Sequence, residues 1–289
     1  MIFIKIAAAV VALTALFFLI KRLRRNSNRK RLSAAPFSEQ FEQIIKKNVP
    51  LYNRLPDSLK QQLHGHINIF LAEKSFEPCG GLEITDEIKV TIAAQACMLL
   101  LNRKATYFPK LRNILVYPHT YVAKTVSSNG TVTINGQSVR LGESWQSGPV
   151  VLAWNSVTGG TTNITDAKNV VLHEFAHQLD QEDGSADGAP ILEHRSKYVT
   201  WARILSAEYE DLQNKRKEHR RSVMNKYGAT NPAEFFAVAT ETFFEKPKQM
   251  KKRHPELYDE LKDYYKLDPV LWPQQKPVWN SHSTHAAGQ

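Results

Sequence analysis

Two histidines four positions apart with a glutamate beside the first, His173-Glu174-Phe175-Ala176-His177, restrict this chain more than any other stretch of it. On a helix, positions i and i+4 share one face about a turn apart, so both imidazoles can converge on one small cation. Glu174 then points at a water bound to that cation. The pattern implies metal-assisted hydrolysis, provided the chain supplies a helix here and a further ligand elsewhere. A catalytic zinc takes three protein ligands and keeps one position for water.

The helix is supported by its neighbours. Val171, Leu172, Phe175, Ala176 and Leu179 recur at helical spacing and give it a buried side, with Thr165 or Asp166 expected as its cap. A second helix opens at Asn231-Pro232, with Asn at the cap and Pro at the first helical position. It offers Glu234, with Val238 and Glu241 on the same face. Two readings of Glu234 stand side by side. It can reach the two histidines as third ligand, or it can complete a capping box with Asn231. Asp180 and Glu241 are candidates to accept the free ring N–H of a ligand histidine and so fix its tautomer.

The segments His173-Glu174-Phe175-Ala176-His177-Gln178-Leu179-Asp180 and Asn231-Pro232-Ala233-Glu234-Phe235-Phe236-Ala237-Val238, with Glu241 and Phe243-Phe244 beyond, resemble the Mlc titration factor A family of zinc-dependent peptidases. Ile114 to Pro118 and the run from Gly142 through Ser144-Trp145-Gln146 and Gly148-Pro149 to Leu152 are similar to it too. The similarity covers roughly Tyr52 to Pro269 and extends to the catalytic domain of anthrax lethal factor. It implies a zincin-like fold and one Zn²⁺ held by His173, His177 and Glu234. It also implies peptidase activity, described as aminopeptidase activity within the family. Tyr227, seven residues before Glu234, matches a tyrosine that assists catalysis in lethal factor. Glu174 is the expected general base. The family is named for binding a glucose-responsive transcriptional repressor, so a regulator partner is implied by the resemblance alone. A protein that keeps the zinc fold and acts by sequestering such a partner is the alternative to a peptidase acting on peptides or proteins.

The leader lies outside that pattern. Met1 to Ile20 is apolar apart from Lys5 and Thr14, and Lys21, Arg22, Arg24 and Arg25 follow at once. Such a run is expected to span a membrane once, with the basic flank keeping the body on the cytoplasmic side. A cleaved signal peptide is the rival, but its positive charge would precede the apolar run. The net charge is +10, and the eight basic residues Lys5, Lys21, Arg22, Arg24, Arg25, Arg29, Lys30 and Arg31 precede any acid, which leaves +2 for the rest. The globular part therefore has no electrostatic footprint for nucleic acid. Cys79 and Cys97 form no CxxC, so neither a disulfide framework nor a cysteine metal site is indicated.

The expected organisation is an anchor at 1–20, a basic tether at 21–36, a zincin-like peptidase domain at 37–272 and a flexible tail at 273–289. Within the domain the class is α+β, mainly helical. Helical spacing marks Phe37 to Lys47, Ser58 to Lys74, Thr85 to Leu101, about Leu192 to the Arg220 region and Pro255 to Tyr265. A small, mostly antiparallel sheet is expected between Ile114 and Trp154, with turns at Asn129-Gly130 and Asn135-Gly136.

Overall fold

The computed structural model describes residues 2–119, 125–126, 132–133, 148–162 and 167–273. The expected turns at Asn129-Gly130 and Asn135-Gly136, the caps Thr165 and Asp166, and the tail beyond Pro273 lie outside these residues.

The expected helices form. Helix α1 covers Ile2–Ser33, α2 Glu39–Asn48, α3 Pro50–Asn53, α4 Asp57–Glu73 and α5 Asp86–Met98. Thr85 caps α5, its side chain accepting from the Ile88 N–H. Buried residues occupy every face of α5, among them Val90, Ile92, Ala93, Ala96 and Cys97. A helix apolar all round must run through the interior rather than across a surface.

That interior helix explains the main correction to the expected architecture. Strands β1 (Ser75–Pro78), β2 (Asn113–Tyr117) and β5 (Val150–Ala153) form a three-stranded sheet in the order β1-β2-β5, and both pairings are parallel. A mostly antiparallel sheet was expected. Parallel neighbours need a long crossover, and α5 is the crossover from β1 to β2. The short strands β3 (Thr125–Val126) and β4 (Val132–Thr133) are the antiparallel pair, and they stand apart from the main sheet.

After β5 come α6 (Trp154–Thr162), α7 (Val170–Asp180), α8 (Lys197–Lys217), α9 (Pro232–Glu245), α10 (Pro247–Arg253) and α11 (Pro255–Tyr265). Helix α7 carries the histidine pair, and its opposite side is clamped by aromatic rings. Phe175 lies 4.9 Å from Phe108 and 5.7 Å from Phe70, centroid to centroid. Fixing Phe175 fixes the roll of α7, which turns His173 and His177 toward α9. Helix α9 is anchored by Phe235, Phe236, Phe243 and Phe244, all buried. Truncating one such ring to Ala costs about 3–5 kcal/mol.

The segment 21–36, expected as a tether, is helical as far as Ser33 because it packs on α4. Arg29 makes a two-pronged pair with Glu73, both N–O distances being 2.7 Å. Gly65 permits the approach, since a Cβ there would stand 2.9 Å from the Ser33 carbonyl oxygen. The apolar part of α1 has a mean hydropathy of 2.6 and is unburied, and by length and composition it can cross a membrane.

Candidate metal centre

Three side chains from two helices meet at one point. His173 and His177 project from α7, and their Nε2 atoms are 3.2 Å apart. Glu234, in the first turn of α9, brings Oε2 to 2.9 Å from Nε2 of His173 and 3.5 Å from Nε2 of His177. One donor atom from each of the three lies within 4.8 Å of the others.

Tautomer logic shows what this cluster wants. Nδ1 of His173 lies 2.6 Å from Oε1 of Glu241. An ionised carboxylate only accepts, so Nδ1 carries the proton and Nε2 of the neutral ring presents a lone pair. That lone pair faces a second imidazole nitrogen and a carboxylate oxygen. Converging acceptors repel one another unless a cation sits among them. Without a metal, a proton on Nε2 can take the cation's place, and the charge balance of the cluster favours it. Burial disfavours charge on His173, yet the Glu234 and Glu241 carboxylates outweigh it and hold the ring well above its ordinary pKa. Burial likewise opposes charge on Glu234, and hydrogen bonds with His173 and His177 hold it well below the usual carboxylate range.

The contacts of Glu234 bear on both of its expected roles. Asn231 does cap α9, its Oδ1 accepting from the Glu234 N–H at 2.9 Å. The Glu234 side chain does not close a capping box and turns to the histidines instead.

Behind the cluster, Glu241 is buried. Its Oε2 accepts from the Asn169 N–H at 2.8 Å, while its Oε1 holds His173. Burial pushes the Glu241 carboxyl up, and the His173 ring and that N–H work against it. Asn169 is the actual N-cap of α7, accepting from the Leu172 N–H, where Thr165 or Asp166 was expected. One residue thus starts the motif helix and secures the acid behind it. The sequence signal for it is an asparagine just before an apolar helical run.

Tyr227 lies in a short 3-10 turn, Lys226–Ala229. Its hydroxyl donates to Oε1 of Glu234 at 3.3 Å, and its ring centroid is 6.0 Å from that of His173. Glu174 is half-buried on α7. Asp180 does not back a histidine. Its Oδ2 accepts from the Gly188 N–H at 3.0 Å, and burial pushes its pKa up to about 6.

Gly188 is a positioning element that sequence reasoning missed. Its φ is +78°, and a Cβ there would stand 2.5 Å from the Pro232 carbonyl oxygen. Its own carbonyl accepts from Trp201 Nε1 at 3.0 Å. The loop after α7 is thereby pressed against the first turn of α9, two residues before Glu234.

A helix presenting imidazoles at i and i+4, met by a carboxylate from a second helix and backed by a buried acid, defines a metallopeptidase-like protein. The chain belongs to the family described as glucose-regulated metallo-peptidase M90, whose model matches residues 22–266. That family implies a metal ion. An uncharacterized protein of Synechocystis sp. is 39% identical over 244 residues, 84% of this chain and 89% of that protein. Mlc titration factor A of Serratia proteamaculans is 32% identical over 237 residues, 81% of this chain and 89% of that protein. The protein of that name in Yersinia pestis is 30% identical over 227 residues, 77% of this chain and 83% of that protein. The resemblance to the Mlc titration factor A family is therefore a family membership.

Proposed function

We propose that the chain is a zinc-dependent peptidase, carried on a membrane by α1 with its body on the cytoplasmic side. The observation that carries this reading is the turn of the Glu234 side chain away from its own helix cap and onto His173 and His177. Two imidazole nitrogens and one carboxylate oxygen form a donor set that suits a catalytic zinc with one position left for water. Bound there, zinc supplies Lewis acidity and a water whose pKa falls to ~7.

The remaining chemistry belongs to the chain. Glu174 takes a proton from the attacking water and delivers it to the leaving amine. Tyr227 turns its hydroxyl from Glu234 to the oxyanion that develops on the scissile carbonyl. Glu241 keeps the proton on Nδ1 of His173, so that Nε2 faces the metal. Among the described residues β5 pairs only with β2, and a peptide in extended form can add along its other edge. The basic residues that follow the apolar run favour a cytoplasmic body.

The name of the Serratia and Yersinia relatives favours a second reading, in which the protein sequesters a transcriptional regulator. A sequestering protein has no use for Glu174. The deciding experiment offers the purified full chain, in detergent, a peptide library with free and with blocked amino termini. Hydrolysis that a chelator abolishes and zinc restores is expected, and cleavage of free-amine peptides alone marks an aminopeptidase. No cleavage of any member in the presence of zinc overturns the peptidase reading.

A further inference from the structure

The way α1 meets the body fixes which surface faces the bilayer. Helix α1 runs antiparallel to α4: Ser33 lies against Gly65, the Leu32 carbonyl accepts from Asn68, and Arg29 pairs with Glu73. Followed toward its N-terminus, α1 therefore leaves the body past the C-terminal end of α4. The start of β1, the start of β2 and the loop 102–112 sit at that end. Lys74, just after α4, donates to the carbonyls of Phe108 and Leu111, and Ser75 N–H donates to the Arg112 carbonyl. The loop touches α1 itself, because the Arg29 guanidinium stacks 4.4 Å from the Tyr107 ring centroid.

A short, continuous stretch of helix separates this end from the lipid. Arg29 follows Ile20, the last residue of the apolar run, by nine residues, about 13 Å of rise, and Arg25 stands one helical turn before it. The headgroup layer on each side of a bilayer is about 5–8 Å deep, so the docked end of α1 lies within a helical turn or so of its outer surface, inside the reach of lysine and arginine side chains. The loop is also charged to suit such a layer. Arg103, Lys104, Lys110 and Arg112 occur in Asn102 to Asn113 without an acid, and Lys104, Lys110 and Arg112 are exposed. Glu73 feels Arg29, Lys74 and Arg25 together, and Lys74 feels Arg112, so the flank and the loop form one positive region in which basic residues outnumber the two acids, Glu73 and Glu182.

We infer that the loop 102–112 is a second membrane contact, which seats the metallopeptidase body against anionic lipid headgroups beside the emerging α1. This rests on the reading of α1 as a membrane anchor. The body is then held at a fixed orientation on the bilayer instead of swinging on a tether. The contact also adjoins the metal centre. Thr106 donates to Glu182 at 2.5 Å and Lys110 to the Gln181 carbonyl at 2.8 Å, both in the turn that ends the motif helix. His177 lies one turn from Gln181, so the histidine pair is close to the lipid surface.

The test places the full chain in vesicles of phosphatidylcholine alone or mixed with phosphatidylglycerol, and follows flotation and hydrogen exchange of the peptide spanning 102–112. Flotation with both lipids is expected from the anchor. Exchange in the loop is expected to slow severalfold with the anionic vesicles only, with the difference erased by high salt and by Lys104→Glu with Arg112→Glu, which still float. A basic residue near an anionic surface contributes about fivefold to the local equilibrium, so two reversals suffice to remove the effect. Flotation with equal loop exchange in both lipids overturns the second contact and leaves the anchor standing. Failure to float overturns the anchor and the contact with it.

Discussion

Glu241 holds His173 by Nδ1 at 2.6 Å from a buried position two turns beyond Glu234 on the same helix. One helix thus supplies both the carboxylate in front of the ring and the one behind it. The spacing of seven residues keeps the two acids on one face, so a small rotation of α9 would disturb both together.

Glu241→Gln keeps the shape and removes the charge that fixes the ring's proton. Zinc affinity, measured by competition with a chromophoric chelator, is expected to fall about 10–100-fold. An unchanged affinity would show that Glu241 is only a satisfied core acid.

Glu234 and Asn231 separate the metal from the cap. Glu234→Ala is expected to abolish stoichiometric zinc binding. Asn231→Ala is expected to leave zinc in place and cost about 1 kcal/mol of stability through the lost cap. Metal content by emission spectrometry and denaturant midpoints by circular dichroism give the two readouts. Full zinc occupancy in Glu234→Ala would return that residue to a capping role.

Gly188→Ala places a side chain at φ +78° and against the Pro232 carbonyl. A loss of about 2–4 kcal/mol is expected from the left-handed backbone and the close contact together. Because Pro232 opens the helix that carries Glu234, zinc affinity should fall as well. A variant of unchanged midpoint would refute the close approach.

His66 gives the acid limb of stability a sign. Burial holds its pKa at about 4, against 6.5 for the exposed ring. Between those values the unfolded chain binds a proton that the native one refuses, so this contribution is complete above pH 6.5 and is lost as pH falls toward 4. The upper bound is about 3 kcal/mol. His66→Asn preserves an acceptor for the Tyr107 hydroxyl, which lies 2.7 Å from Nδ1. Its midpoint in detergent is expected to vary less than that of the parent over this range, and equal slopes would contradict the assignment.

The parts legible in the sequence were those set by local pattern. The His173 to His177 spacing, the Thr85 and Asn231 caps and the apolar α1 depend on neighbours within a turn or two, and all are present as expected. What failed depended on distant partners. Ser75-Phe76-Glu77-Pro78 is short, polar and ends in proline, so nothing local marks it as a strand, and without it the parallel crossover through α5 could not be read. Asn26 to Ser33 looks like a polar linker until Glu73 and Gly65 are placed beside it. Asn169 caps α7 through a local contact, but its second task, holding Glu241, spans 72 residues of chain and leaves no local mark. Glu234 had two local meanings, and only the position of α7 selects between them.

The most direct measurement is the turnover and metal content of Glu174→Gln beside the parent chain. The substitution keeps the size of the side chain and removes its ability to take a proton. One zinc per chain should remain, while peptide hydrolysis falls by about 10²–10⁴-fold. Undiminished turnover with zinc bound would contradict the role given to Glu174 and, with it, hydrolysis as the work of this site.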